Sequence, residues 1–266
     1  MTCHGGFIWY ELLTPDPDAA AEFYGAVVGW TIPPEADPLA GGMDYRIIGR
    51  ADGGAAGGVV RLSPEMLAHG ARSCWLGYID VADVDEAVAA IVADGGRVQM
   101  PAMDLPVGRI AMVSDPQGAS SYVMKPIPPA GQPDAQSDVF SIDRPQHIRW
   151  NELSSSDPQA AIAFYTKHFG WTQQGEMDMG PMGTYRFIQH DGTGIGAIMP
   201  KAQELPASLW NYYIGVDDID RAAEAVKVQG GKIIEGPHQI PGGEYSLVGI
   251  DRLGAVFGLV GPRKTG

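Results

Sequence analysis

Hydrophobic positions along this chain change their spacing in a recurring order. Residues 7–13 (FIWYELL) are aromatic and branched and predict a strand. Asp16 then stands at an N-cap position with Pro17 at N1, where a missing N–H costs nothing. Ala20, Phe23, Tyr24, Val27 and Val28 recur at helical spacing, and Gly29 ends the helix they predict. Trp30-Thr31-Ile32 begins a second strand, and residues 33–42 read as a Pro- and Gly-rich loop. Two more strands are predicted at Tyr45–Gly49 and Gly57–Leu62, with Asp52-Gly53-Gly54 as the hairpin signal between them. The order is βαβββ.

That order returns at once. Cys74–Val81 predicts a strand, and Asp83 caps the next helix with Glu86 three residues on, in the manner of a capping box. Val84, Ala87, Val88, Ile91 and Val92 form its apolar stripe, and Gly95-Gly96 stops it. Strands near 97–101, 109–114 and 119–125 complete the module, the last two joined by the turn Asp115-Pro116-Gln117-Gly118. Residues 127–146 are rich in Pro among small polar residues and read as a linker. The pattern then starts over. A strand at 148–154, a helix at 158–169 and strands near 171–174, 184–190 and 194–199 form a third module. A strand at 210–216, a helix beginning at Asp218 and strands near 232–235, 245–250 and 255–260 form a fourth.

The recurrence extends to residue identity. Trp9, Glu11, Leu12, Asp16-Pro17, Phe23-Tyr24 and Gly29-Trp30 reappear, at a constant offset of 141, as Trp150, Glu152, Leu153, Asp157-Pro158, Phe164-Tyr165 and Gly170-Trp171. The chain is a tandem duplication. Two domains are expected, 1–126 (modules 7–62 and 74–126) and 147–263 (modules 147–200 and 209–261), each large enough to bury a core. The class is α+β: curled mixed sheets with helices outside, each domain's concave side enclosing a small-molecule cavity.

Composition narrows the function. No apolar run approaches the roughly 18 residues of a membrane span. The N-terminus lacks the basic and apolar regions of a signal peptide, so a cytoplasmic location is expected. The two cysteines, Cys3 and Cys74, do not make a disulfide framework or a metal-ligand spacing. A net charge of −14 argues against nucleic acid and permits a cationic ligand, although solubility alone accounts for it. The glycines at 53–58 and 192–196 do not lead from a strand into a helix, so they carry no dinucleotide signal.

The opening Trp-Tyr-Glu-Leu, Asp-Pro, Phe-Tyr and Gly-Trp, the later strand, helix and Gly-Gly, and the Asp-Pro-x-Gly turn resemble the vicinal oxygen chelate superfamily. That group includes glyoxalase I, extradiol dioxygenases, and bleomycin and fosfomycin resistance proteins. Within it the chain is most similar to two-domain proteins related to lactoylglutathione lyase. The resemblance implies metal ligands at three positions per domain. Here those positions hold Trp9 and Trp150, Leu76 and Asn211, and Tyr122 and Gly258. The further glyoxalase position falls among Gly57–Val60 and Gly196–Met199, with neither Glu nor His. Neither a metal nor another cofactor is therefore expected at these positions.

Strand alternation sends Trp9, Glu11 and Leu13 to one face and Tyr10 and Leu12 to the other. The resemblance makes the first face the concave one. Glu11 beside Trp9, and Glu152 beside Trp150, are the candidate catalytic acid/base groups or partners for a cationic ligand. The plain alternative is that each glutamate bonds backbone or a neighbouring arginine at the centre of its sheet. Tyr45, Arg109 and Tyr122 in the first domain, and Tyr185, Asn211 and Tyr213 in the second, are the further ligand-binding candidates. Trp30 and Trp171 are expected in the core, and Trp75 and Trp210 in the core or at a cavity rim. The loop Asp178–Gly183 is either a lid or surface filler.

The leading expectation is a member of this superfamily that binds a small organic molecule and acts on it, as a metal-independent lyase or isomerase, through Glu11 or Glu152. The alternatives are sequestration of a cationic aromatic compound without chemistry, and metal-dependent glyoxalase or dioxygenase activity with atypical ligands such as His147, His190 or His238. Leu76 against Asn211 and Tyr122 against Gly258 make the second cavity the more open and polar, hence the expected binding site. Packing between domains is expected within the chain, and a homodimer is left open.

Overall fold

A computed structural model describes residues 4–38, 40–203, 205 and 207–264; Cys3 lies outside the described residues. The first half contains β1 (Phe7–Thr14), α1 (Pro17–Val28), β2 (Tyr45–Gly49), β3 (Ala55–Arg61), α2 (Pro64–Ala68), β4 (Cys74–Asp80), α3 (Val84–Ala93), β5 (Arg97–Leu105), β6 (Gly108–Ser114) and β7 (Ser120–Pro126). The second contains β8 (Ile148–Ser155), α4 (Pro158–Phe169), β9 (Thr172–Asp178), β10 (Thr184–His190) and β11 (Thr193–Pro200). It continues with β12 (Leu209–Gly215), α5 (Ile219–Val228), β13 (Lys232–Gln239), β14 (Tyr245–Ile250) and β15 (Val256–Gly261). The class is α+β, four βαβββ-type modules in two mixed sheets.

Local chemistry sets the helix boundaries. The side chain of Asp16 accepts from the N–H groups of Asp18 and Ala19, and Gly29 closes α1 in the left-handed region at φ 86°. Asp157 and Gly170 do the same for α4, and Asp83 and Asp218 cap α3 and α5. Two expectations need correction. The strand begun by Trp30 reduces to one isolated bridge, Thr31 with Gly49, because Pro33 and Pro34 follow at once and cannot donate to a ladder. Its counterpart in the second half lacks prolines and forms the full strand β9. Helix α2 was not anticipated, although Ser63 caps it and Pro64 opens it.

The described chain falls into two compact units, and these do not coincide with the sequence repeats. One comprises the segment ending at Ile8, Leu76–Ser137 and Trp150–Trp210, and so holds most of the two middle modules. The other comprises Trp9–Trp75, Asp138–Arg149 and the chain from Asn211 on, and holds most of the first and last modules. Each unit therefore draws on both halves of the chain. In the middle-module unit β5–β6–β7 run antiparallel and β4 joins β7 in parallel, while β9–β10–β11 are antiparallel and β8 joins β11 in parallel. In the outer-module unit β2–β3 and β13–β14–β15 are antiparallel, with β1 parallel to β3 and β12 parallel to β15.

Helices meet helices inside each unit, α1 with α5 and α3 with α4. This packing explains the repeated Phe-Tyr and Gly-Trp. In the outer-module unit the Trp75 indole donates to the Tyr24 hydroxyl at 2.9 Å, and Tyr24 donates to Asp251 Oδ2 at 3.1 Å. Trp210, Tyr165 and Asp115 repeat the chain in the middle-module unit, at 3.2 Å for each bond. Both aspartates are buried in their turns, where Oδ1 accepts from Ala255 N–H and Ala119 N–H respectively. Burial raises both carboxyl pKa values, an effect that their hydrogen bonds oppose. Trp75 and Trp210 are thus core residues, as are Trp30 and Trp171, whose indoles donate to the carbonyls of Gln146 and Gly5.

The Tyr24–Asp251, Tyr165–Asp115 and Trp171–Gly5 bonds each join residues from the two halves of the chain. The segment 127–146 is also less free than a tether. Val139 is buried, Phe140 bridges to Ile148, and Asp138 pairs with the buried Arg50. Gln146, at φ 63°, uses its amide to hold Gly29 O and Ala51 N–H.

Candidate functional site

Strand β8 alternates as its sequence requires. Asn151, Leu153 and Ser155 are buried, whereas Trp150, Glu152 and Ser154 are only half-buried. Asn151 donates its amide to Ile195 O and is part of the packed side. On the other side the Trp150 indole N–H donates to the Tyr185 hydroxyl at 2.7 Å, and Tyr185 donates in turn to Glu152 Oε2 at 2.8 Å. Phe187 stands edge-on to both rings, 6.3 Å from Trp150 and 5.6 Å from Tyr185 between centroids. The result is a carboxylate held by a phenol, beside a partly accessible indole.

The first copy lies in the outer-module unit and repeats the bond from tryptophan to tyrosine. The Trp9 indole donates to the Tyr45 hydroxyl at 2.7 Å. Glu11 acts on Tyr45 through its charge, second to burial in raising the phenol pKa. It acts in the same way on Cys74, whose thiol is pushed up to about 11, mostly by burial. Glu11 is only 3% exposed, so this copy of the acid is enclosed. The Tyr45 ring lies across β3, where a Cβ on Gly58 would come within 2.1 Å of its hydroxyl; glycine makes the room. Its neighbour Arg46 reaches the other way, to Asp18 at the start of α1 and to Asp44, whose carboxyl it holds down at about 2.

The remaining candidates divide. Tyr213 crosses its parallel partner Gly258, where a Cβ would meet the ring at 2.4 Å. Asn211 is buried on the same strand and its Oδ1 has no hydrogen-bond partner among the described residues. Tyr122 stacks on Tyr78 at 4.2 Å and is itself buried. Arg109 does not join it. Along β6 and β7, Arg109 opposes Lys125 while Tyr122 opposes Met112, three positions away, which puts Arg109 on the other face. There its guanidinium pairs with Asp85 at the start of α3 and with Asp104.

The metal that the resemblance implies does not fit this donor set. An indole N–H has no lone pair to give, and those of Trp9 and Trp150 already donate to tyrosine oxygens. Leu76 and Gly258 carry no donor atom, and Asn211 brings a single amide oxygen. The histidines do not repair this: His147 Nδ1 faces Pro145 O and His190 Nε2 faces His4 O, while His238 is exposed. Among the described residues no group of three His, Cys, Asp or Glu side chains is placed to hold an ion.

Phe187 and Gly58 were not anticipated as parts of these sites. A signal for the tyrosine relay was present nonetheless. Tyr45-Arg46-Ile47-Ile48 and Tyr185-Arg186-Phe187-Ile188 are a second repeated string, which ties both tyrosines to the repeated tryptophans. The loop Asp178–Gly183 contains a single 3-10 turn at Gly180–Met182 with Met182 exposed.

Over 256 residues the chain is 29% identical to "Putative glyoxylase CFP32" of Mycobacterium bovis, covering 96% of this chain and 94% of that one. It is 28% identical over 281 residues to "Anthracycline biosynthesis protein DnrV" of Streptomyces peucetius, covering 98% and 94%. Among solved structures, the Mn(II)-bound glyoxalase from Novosphingobium aromaticivorans superposes with a TM-score of 0.64 at 20% identity, covering 99% of this chain and 84% of that one. The 2,2',3-trihydroxybiphenyl 1,2-dioxygenase of Sphingomonas wittichii strain RW1 gives 0.63 at 13% identity, covering 98% and 91%. These two likenesses establish the fold. The model of the Glyoxalase/Bleomycin resistance protein/Dioxygenase superfamily matches residues 6–120 and 144–252, and the chain belongs to that superfamily, with one copy of its domain in each half.

Proposed function

We propose that the protein binds a small organic molecule against the Trp150–Tyr185–Glu152 face and acts on it by acid–base chemistry, with Glu152 as the proton acceptor. The observation that carries this reading is the Tyr185 hydrogen bond to Glu152 at 2.8 Å beside a half-buried indole. That bond holds the carboxyl group beside the indole, where it can serve as a general base. The step is an isomerisation of an α-hydroxy carbonyl: Glu152 takes the proton from the hydroxyl-bearing carbon and returns it to the former carbonyl carbon, while the hydroxyl proton passes to the former carbonyl oxygen, with no change of oxidation state overall. The curated relative named as a glyoxylase supports this class of reaction.

A second reading is retention of an aromatic compound without turnover. The net charge of −14 favours it for a cationic ligand, and the relative named for anthracycline biosynthesis favours an aromatic one. Glu152→Gln separates the two readings. Isomerisation of the methylglyoxal–glutathione hemithioacetal and binding of 2-naphthylamine are measured on both proteins. Catalysis by Glu152 predicts a loss of turnover of about a hundredfold or more, with probe binding largely kept. Turnover unchanged by the substitution removes Glu152 from the mechanism, and weaker binding with no turnover in either protein favours retention.

A further inference from the structure

We propose that a single methyl group sets which copy keeps its glutamate within reach. The Cβ of Ala197 holds the Tyr185 ring off β11 and leaves Glu152 accessible. Gly58, at the matching position, lets the Tyr45 ring settle on β3 and close over Glu11. Ala197 is thereby a positioning residue for the ligand site read on the Trp150–Tyr185–Glu152 face, and its role in binding rests on that reading.

Strand register establishes the match. Gly58 stands between Ile47 on β2 and Glu11 on β1. Ala197 stands between Phe187 on β10 and Glu152 on β8. In each copy the tyrosine stands one strand further out, on β2 or β10, and its hydroxyl accepts at 2.7 Å from a tryptophan on the glutamate's own strand. The ring therefore has to cross the strand between. In the first copy it lies directly on the backbone. A Cβ on Gly58 would stand 2.1 Å from the Tyr45 hydroxyl and 2.4 Å from Cζ, short of van der Waals contact by more than about 1 Å. The second copy carries that Cβ, and Ala197 is only 1% exposed, so its methyl is covered. A ring placed as Tyr45 is would strike this methyl, and the Tyr185 ring rides above it. Phe187, where the first copy has Ile47, stands edge-on to the raised ring, with centroids 5.6 Å apart. The glutamates differ accordingly: Glu11 is enclosed and Glu152 is half-buried.

Carbodiimide coupling of glycinamide to carboxyl groups, read residue by residue by peptide mass spectrometry, measures reach without any ligand. In the unmodified protein Glu152 should label about tenfold or more faster than Glu11. In Ala197→Gly the Tyr185 ring settles, and Glu152 labelling should fall about threefold or more. A substitution that merely loosened the strand would raise that labelling, so the sign separates the two causes. In Gly58→Ala the Tyr45 ring is displaced, and Glu11 labelling should rise about threefold or more with Glu152 unchanged. Calorimetry with 2-naphthylamine reads the consequence for binding, the share lost in Trp150→Leu being the share that belongs to this site. That share should weaken about threefold or more in Ala197→Gly.

Glu152 labelling that holds or rises in Ala197→Gly overturns the proposal and leaves the ligand site standing, and this variant decides even where Gly58→Ala does not fold. Glu11 labelling unchanged in a folded Gly58→Ala overturns it as well. Labelling that shifts as expected, with no 2-naphthylamine binding that depends on Trp150 or on Ala197, removes the ligand site and the part of Ala197 in binding. Circular dichroism of each variant checks the fold.

Discussion

The two copies of the Trp–Tyr–Glu arrangement use the same residues at the same steps along their strands, and they differ in enclosure. In the second copy the phenol donates to a half-buried Glu152. In the first, Glu11 is only 3% exposed and acts on Tyr45 and Cys74 by charge. Duplication conserved the parts and let the settings diverge. One carboxylate sits where a ligand could reach it, and the other is built into a packed interior.

The largest expected effect tests that divergence directly. Glu11→Ala should cost about 3 kcal/mol of stability, because it leaves a hole and unpaired neighbours in a buried site. Glu152→Ala should cost about 1 kcal/mol or less. Urea unfolding of both variants measures the difference, and equal costs would show that the two settings are alike after all.

A matched control follows, taken from a place where the copies do agree. Tyr24→Phe and Tyr165→Phe each remove the middle of a Trp-to-Tyr-to-Asp chain and should cost about 2 kcal/mol apiece. A difference of more than about 1 kcal/mol between them would mean that the buried bolts have diverged too.

The smallest effect is a slope in alkali. The Cys74 thiol is raised from the usual 9.0 to about 11, so the folded chain holds this proton where the unfolded chain has lost it. Stability should therefore fall as pH rises from about 9 to about 11, and Cys74→Ala should flatten that part of the curve. In Glu11→Gln the window should narrow, since one of the two causes of the shift is gone. Thermal unfolding midpoints across the range provide the measurement.

Much of this molecule was legible in its residues. The caps at Asp16, Asp83, Asp157 and Asp218 announced four helices because a short acidic side chain has one obvious use before an apolar stripe. The repeated tryptophans and glutamates likewise marked one face of β1 and of β8. Pairing between distant elements was not legible. Arg109 looked like a cavity residue until the register of β6 with β7 placed it on the face that carries α3, beside Asp85. Trp75 and Trp210 looked ambiguous because their partners, Tyr24 with Asp251 and Tyr165 with Asp115, lie far away in sequence. The tyrosines could be named as candidates, but their bonds to Trp9, Trp150 and Glu152 depend on how neighbouring strands align, which spacing along one strand does not give.

The buried Tyr24–Asp251 and Tyr165–Asp115 pairs make each half of the chain depend on the other. Half of this chain, produced alone, would own a donor tyrosine and an acceptor aspartate that cannot reach each other's roles without a second half. Two identical halves meeting face to face could exchange them reciprocally. In this protein both halves belong to one chain, so each tyrosine finds its aspartate at any protein concentration, and the segment that Val139 and Gln146 anchor supplies the link.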